Sequence, residues 1–234
     1  MLRVSQQKAI SSGMKSEDRP GPPFVNKYWY EFSRVWVRLA SWLFFRIRYS
    51  GVDNIPREGP VLLVSNHQSH LDPPLIGAGV PRTVSYLARK TLFSNPFFSR
   101  LIRSYGAIPL DLENPLGGLK EGLRRLRCGD AVLIFPEGTR SPDGEIHPFR
   151  KGFRMLAVRS QAIIVPVAID GAYQSWPRSR RLPRPGRVRV HFGRGILPEE
   201  YRDLDEAEFL QMVEAKVQEC LETIRCSGKD LRLA

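Results

Sequence analysis

The sequence is poor in cysteine and histidine, with three of the first and four of the second among 234 residues. Cys128, Cys220 and Cys226 form no Cys-x-x-Cys pair and no zinc spacing, which excludes a disulfide framework and fits reduced, inert thiols in a cytosolic compartment. Acidic residues are also scarce: 24 stand against 36 Lys and Arg, a net charge of +12. That excess points to an anionic partner, whether nucleic acid, an anionic lipid surface or a phosphorylated substrate. The chain has no Gly-x-x-x-x-Gly-Lys-Ser/Thr loop, no Gly-x-Gly-x-x-Gly and no Gly-x-Ser-x-Gly, so neither a nucleotide-binding fingerprint nor a covalent acyl-enzyme is indicated. Residues 1–23 lack the apolar h-region of a secretory signal, and a loose lead-in is expected over residues 1–26.

Aromatic residues crowd residues 27–48, where three of the four tryptophans fall. At helical spacing Trp29, Phe32, Trp36, Leu39 and Leu43 share one face, and Lys27, Glu31, Arg34, Arg38 and Ser41 another. The apolar run is too short to span a bilayer, and a central arginine would cost about 2.5–3.5 kcal/mol on insertion. The segment reads as an interfacial amphipathic helix with aromatics at headgroup depth, or as a helix packed on the domain core. Beyond Gly51, short apolar strands alternate with helices. Strands are expected at residues 61–65, 83–88, 106–109, 131–135, 162–169 and 188–192. Helices are expected at residues 73–80, 96–105, 115–128, 153–160 and 205–225. This alternation predicts an α/β fold, a mixed sheet covered by helices, with functional residues in loops at strand ends.

Two such loops carry chemistry. Asn66-His67-Gln68-Ser69-His70-Leu71-Asp72 follows an apolar strand and runs into Pro73-Pro74. A carboxylate that fixes the tautomer of a histidine leaves its other nitrogen free to take a proton from a hydroxyl, and His67 and Asp72 suit those roles. Asp72 before Pro73 also suits a helix N-cap, and His67, His70 and Asp72 could ligate a metal, although no His-Glu-x-x-His completes such a site. Phe135-Pro136-Glu137-Gly138-Thr139-Arg140-Ser141 also follows a strand. Its glycine permits close backbone approach and its guanidinium suits phosphate oxygens. The bland alternative is a polar turn in which Glu137 and Arg140 pair with each other.

These motifs, with Lys151-Gly152 and Ile164-Val165-Pro166-Val167-Ala168-Ile169, resemble the 1-acyl-glycerol-3-phosphate acyltransferase family over about Tyr49 to Ile196. The resemblance implies an acyltransferase domain at residues 49–234. In it His67, oriented by Asp72, deprotonates the acceptor hydroxyl, which attacks the thioester of acyl-CoA or acyl carrier protein. It further implies that Glu137, Gly138, Thr139 and Arg140 bind the glycerol phosphate, with Arg89 and Lys90 as secondary phosphate contacts, and that no metal or other cofactor is needed. The implied product is phosphatidic acid. One position departs: Gly106-Ala107-Ile108-Pro109-Leu110-Asp111 is followed by Leu112 where the family usually carries arginine. Arg89, Lys90 or Arg103 would have to substitute, and another lysolipid or lipid-linked hydroxyl becomes an alternative acceptor.

Between Arg178 and Arg194 lie seven arginines and no acidic residue. Interleaved aromatics are missing, so nucleic acid is not the expected partner. An anionic membrane surface, at about 1 kcal/mol per basic residue, or acyl carrier protein fits better. The expected location is the cytoplasmic face of a membrane, peripheral or monotopic. A non-catalytic basic membrane-binding protein is the rival reading, and it leaves the His67 and Arg140 loops without a role.

Overall fold

The computed structural model describes residues 25–230, so the lead-in expected over residues 1–26 lies almost wholly outside the described residues. The three most apolar strands, β2 (Val61–Ser65), β5 (Ala131–Ile134) and β6 (Ile163–Asp170), occupy adjacent central positions. Strands covered on both faces read as continuous apolar runs, and these do. The other strands are β1 (Arg48–Ser50), β3 (Val84–Arg89), β4 (Ala107–Leu110) and β7 (Arg189–Phe192). Together they make one seven-stranded mixed sheet of order β1-β7-β6-β2-β5-β3-β4. Val61 stands level with Ala131 on one side and Ile163 on the other, both in parallel register. Only β1 and β7 run against the rest, β7 being antiparallel to β6 and parallel to β1.

The helices are α1 (Lys27–Phe45), α2 (Asp72–Gly79), α3 (Pro96–Ser104), α4 (Leu116–Arg127), α5 (Arg154–Ser160), α6 (Ala172–Ser175), α7 (Pro198–Tyr201) and α8 (Glu206–Asp230). Alternation along β2 sends Leu62 and Val64 to one core with Leu126 of α4, Leu156 of α5 and Val213 of α8. Val61 and Leu63 face the opposite core with Leu75 and Ile76 of α2. Every expected strand and helix is present. The sequence reading missed β1, α6 and α7, each only three or four residues long and too short to show a period.

Helix α1 begins at Asn26, whose Oδ1 accepts from the Trp29 N–H at 3.1 Å. It ends at Arg46, whose left-handed backbone (φ 42°) turns the chain into β1. Its orientation is set by polar contacts of one face with the domain. Tyr30, Ser33 and Ser41 are buried. Arg34 Nη1 donates to the Val80 carbonyl at 2.6 Å, and the Tyr30 and Tyr86 hydroxyls meet at 3.2 Å. Trp29, Phe32, Trp36, Leu39 and Leu43 are between 42% and 65% exposed. The more polar face is therefore turned to the domain and the aromatic face away from it, so the apolar face is not the one packed on the core. No helix among the described residues is long and apolar enough to cross a membrane.

Candidate active site

Parallel pairing of β2 with β5 puts the two motif loops side by side at the carboxyl edge of the sheet. His67 lies just beyond Ser65, the end of β2. Its Nδ1 is 2.8 Å from Asp72 Oδ2. Asp72 is fully buried, and the same oxygen accepts the Gln68 and Ser69 N–H groups at 2.6 and 2.7 Å. A carboxylate at Nδ1 requires N–H there, which leaves Nε2 with the lone pair. The imidazole lies against Phe135, with centroids 4.1 Å apart and planes 23° from parallel.

The N-cap reading of Asp72 is corrected. Asp72 is the first residue of α2, Leu71 holds the cap position, and the carboxylate turns back to the loop before the helix rather than to N–H groups within it. Five residues of turn thus wrap one oxygen, which is how residues off a common helix face come together. The metal reading gains no support from placement: the His70 ring rests against Trp176, centroids 5.5 Å apart. No group of three His, Cys, Asp or Glu among the described residues is disposed to hold a metal ion.

The β5 loop is tied to the β2 loop at two points. Glu137 Oε1 accepts the His67 N–H at 2.8 Å, and the Ser141 N–H donates to the His67 carbonyl at 2.7 Å. Glu137 and Arg140 therefore do not form the pair of the polar-turn alternative. Burial pushes the Glu137 carboxyl up to about 7, with the backbone N–H groups of His67 and His147 opposing the shift. Gly138 is left-handed (φ 70°), and a Cβ there would stand 2.8 Å from Arg150 Nε, which itself donates to the Glu137 carbonyl. Thr139 is exposed and Arg140 half-buried. Burial, then the neighbouring Arg178 charge, holds Arg140 below the ordinary arginine range. The Arg178 charge is thus near enough to oppose that of Arg140.

Arg89 and Lys90 sit exposed at the end of β3, on the far side of β5 from β2. Lys90 Nζ is 3.2 Å from Asp111 Oδ2, so it is already paired. Several supporting residues carried no sign of their role in the sequence. Asn66 bridges to β6, donating to the Ile169 carbonyl at 3.0 Å and accepting the Ile169 N–H at 2.9 Å. Ser69 Oγ donates to the Trp176 carbonyl at 2.9 Å, fastening the start of the arginine-rich loop to the histidine loop. Asn66 and Ser69 lie within the histidine motif, but their partners are over 100 residues away. Beside Leu71 opens an apolar groove of about 450 Å³, walled by Val37, Ala40 and Phe44 of α1, by Pro74, and by Pro183.

The titration of Glu137 gives a testable consequence for stability. A buried carboxyl raised from 4.5 to about 7 favours the folded state most when protonated, below pH 4.5. Stability should fall as pH rises through 4.5 to 7, by up to roughly 3 kcal/mol at about 1.4 kcal/mol per unit. Glu137→Gln keeps an acceptor for the His67 N–H and cannot ionise. Urea midpoints of the variant should lack this component of the wild-type slope, and parallel curves would refute it.

A histidine–carboxylate contact beside an arginine-bearing loop, on the carboxyl edge of a mixed sheet, is an arrangement suited to group transfer. The family model described as Acyltransferase matches residues 46–170, more than half of the chain. A 1-acyl-sn-glycerol-3-phosphate acyltransferase of Pseudomonas aeruginosa is 33% identical over 86% of this chain and 80% of its own length. The chloroplastic 1-acyl-sn-glycerol-3-phosphate acyltransferase LPAT1 of Arabidopsis thaliana is 30% identical over 72% of this chain. The chain spans about half the length of such plant relatives, 48% and 53% for the Arabidopsis and Brassica napus proteins. The crystal structure of the 1-acyl-sn-glycerophosphate acyltransferase PlsC of Thermotoga maritima matches with a TM-score of 0.74 and 31% identity, over 84% of this chain and 79% of that one. The chain belongs to the Acyltransferase family.

Proposed function

We propose that the protein transfers a fatty acyl group from acyl-CoA or acyl carrier protein to the free hydroxyl of 1-acyl-glycerol-3-phosphate, giving phosphatidic acid. The observation that carries the reading is the His67–Asp72 contact at 2.8 Å beside the Arg140 loop. His67 Nε2 takes the proton of the acceptor hydroxyl as its oxygen attacks the thioester carbonyl. The tetrahedral intermediate expels the thiolate, which receives the same proton from the imidazolium, so acyl and proton transfers balance without a covalent enzyme intermediate. Arg140, with Arg178 near it, offers charge for the acceptor phosphate, and Glu137 through Thr139 shape the loop that presents it. The apolar groove beside Leu71 offers a wall suited to a lipid substrate. Residues 49–234 form the catalytic domain in this reading. The outward aromatic face of α1 and the arginines from Arg178 to Arg194 would seat it on an anionic membrane, on the cytoplasmic face.

Leu112 in place of arginine, and the engagement of Lys90 with Asp111, favour a second reading in which the same chemistry serves another lysolipid. An acceptor panel decides between them: thiol release from acyl-CoA in detergent micelles with lysophosphatidate, with other lysolipids and with monoacylglycerol. Arg140→Ala should raise KM for lysophosphatidate about 10- to 100-fold, the equivalent of one charge-assisted contact of 1.5–3 kcal/mol, and leave monoacylglycerol unaffected. An equal rise for both acceptors would remove Arg140 from the phosphate.

A further inference from the structure

Helix α3 is anomalous as a part of this domain. It buries none of its nine residues, and Phe97, Phe98 and Leu101 are 86%, 44% and 47% exposed. Isolated helices shorter than about 12–15 residues are marginal in water, and most helices in proteins owe their stability to a packed apolar face. The local sequence nonetheless insists on a helix: Asn95 Oδ1 accepts the Phe98 N–H at 3.0 Å, and Pro96 takes the first helical position. What is lacking is a surface for the apolar side.

That side continues onto α1. Phe97, Leu101 and Ser104 recur at i, i+4 and i+7 and so share one stripe of α3. At its end Ser104 Oγ accepts from Trp29 Nε1 at 3.2 Å. From there the rings of Tyr105, Trp29, Phe32 and Trp36 follow one another at centroid distances of 6.1, 6.4 and 6.3 Å along the outward face of α1. The exposed aromatics of the two helices therefore form one patch, although about 60 residues separate Trp36 from Phe97 in the chain. The stretch that carries α3 is basic, with Lys90 paired to Asp111 at its edge. No acidic residue occurs between Asp72 and Asp111, while Arg89, Lys90, Arg100 and Arg103 fall there. The Arg103 guanidinium lies 4.9 Å from the Phe93 ring, holding the turn after β3 against α3.

We propose that α3 is a second membrane-seated element, and that α1 and α3 dock as one aromatic, arginine-edged surface on an anionic bilayer. Aromatic rings and arginines at one depth suit the boundary between headgroups and acyl chains. The consequence is positional: α3 follows the Arg89–Lys90 turn directly, so seating it brings that basic edge of the sheet to the level of lipid phosphates. The proposal rests on the membrane reading of α1, and its test separates the two.

The full chain is mixed with vesicles of phosphatidylcholine alone or with phosphatidylglycerol, and the bound fraction is measured by flotation. The wild type is compared with an α3 variant (Phe97→Ser with Leu101→Ser), an α1 variant (Trp36→Ser with Leu39→Ser) and a charge variant (Arg100→Gln with Arg103→Gln). The substituted apolar residues are exposed, so thermal unfolding should match the wild type. Removing two inserted side chains should lower the partition coefficient of the α3 variant by about tenfold or more, as in the α1 variant. The charge variant should lose only the advantage of the anionic vesicles. Release of the α1 variant with undiminished binding of the α3 variant would overturn this proposal and keep α1 on the membrane. A wild type that binds neither vesicle would overturn both. Undiminished vesicle binding with weakened binding of acyl carrier protein would reassign the α3 face to a protein and also overturn the proposal.

Discussion

Replacing His67 by alanine should lower acceptor-dependent thiol release from acyl-CoA by about 10²- to 10⁴-fold, the usual contribution of a positioned base. The argument is geometric. Nδ1 is committed to Asp72 at 2.8 Å, the ring is fixed against Phe135, and the side chain is only 18% exposed, so Nε2 is held in one direction. Alanine would remove the proposed base and leave the arginine loop proposed for the acceptor. The loss should therefore fall on kcat, with KM for lysophosphatidate changed much less. The rate that survives reports how much acceleration comes from alignment of two substrates and from charge stabilisation alone. Stability is a necessary control, because the backbone of His67 is itself a fastening point: its N–H and carbonyl bond to Glu137 and Ser141. Alanine keeps both bonds, so the unfolding midpoint should move little. A variant that folds like the wild type and keeps its rate would return the protein to the non-catalytic reading.

The sheet was legible because its central strands are buried on both sides and therefore written as unbroken apolar runs, as in Val61–Ser65 and Ala131–Ile134. The pairing of His67 with Asp72 was legible as residue types at a spacing. The way they meet was not, because a carboxylate before Pro73 fits a cap as well as it fits a turn that folds back on itself. What decides is that Asp72 Oδ2 collects N–H groups from Gln68 and Ser69. For α1 the pattern separated two faces and could not say which one the domain would take. Tyr30 and Arg34 decide it, through a hydroxyl and a carbonyl on Tyr86 and Val80, far along the chain. The same holds for the Arg178 charge felt by Arg140, which comes from a loop whose start Ser69 ties to the histidine loop through the Trp176 carbonyl. Sequence patterns report local period and chemical type; long-range polar contacts assemble the site from them.

Asp72→Asn should lower kcat about 10²- to 10⁴-fold, the scale of general-base catalysis, while leaving KM for both substrates nearly unchanged. In the wild type one oxygen serves the His67 ring and two backbone N–H groups, and the other oxygen is buried with no hydrogen-bond partner. Asparagine can place its carbonyl oxygen where Oδ2 stands and keep all three contacts, so the loop and the tautomer survive. Two things change. The negative charge that would stabilise an imidazolium formed in the proposed proton transfer disappears. An NH₂ group then occupies the buried, partnerless position, at a cost to stability of about 1–3 kcal/mol. A modest drop in unfolding midpoint beside a large drop in kcat is therefore the expected pair of results. Asp72→Ala should cost more stability than asparagine, because it also strips the acceptor from the Gln68 and Ser69 N–H groups. If asparagine kept kcat within a few-fold of the wild type at a lowered midpoint, the carboxylate would be a device for shaping the loop, and His67 would act without electrostatic help from its neighbour.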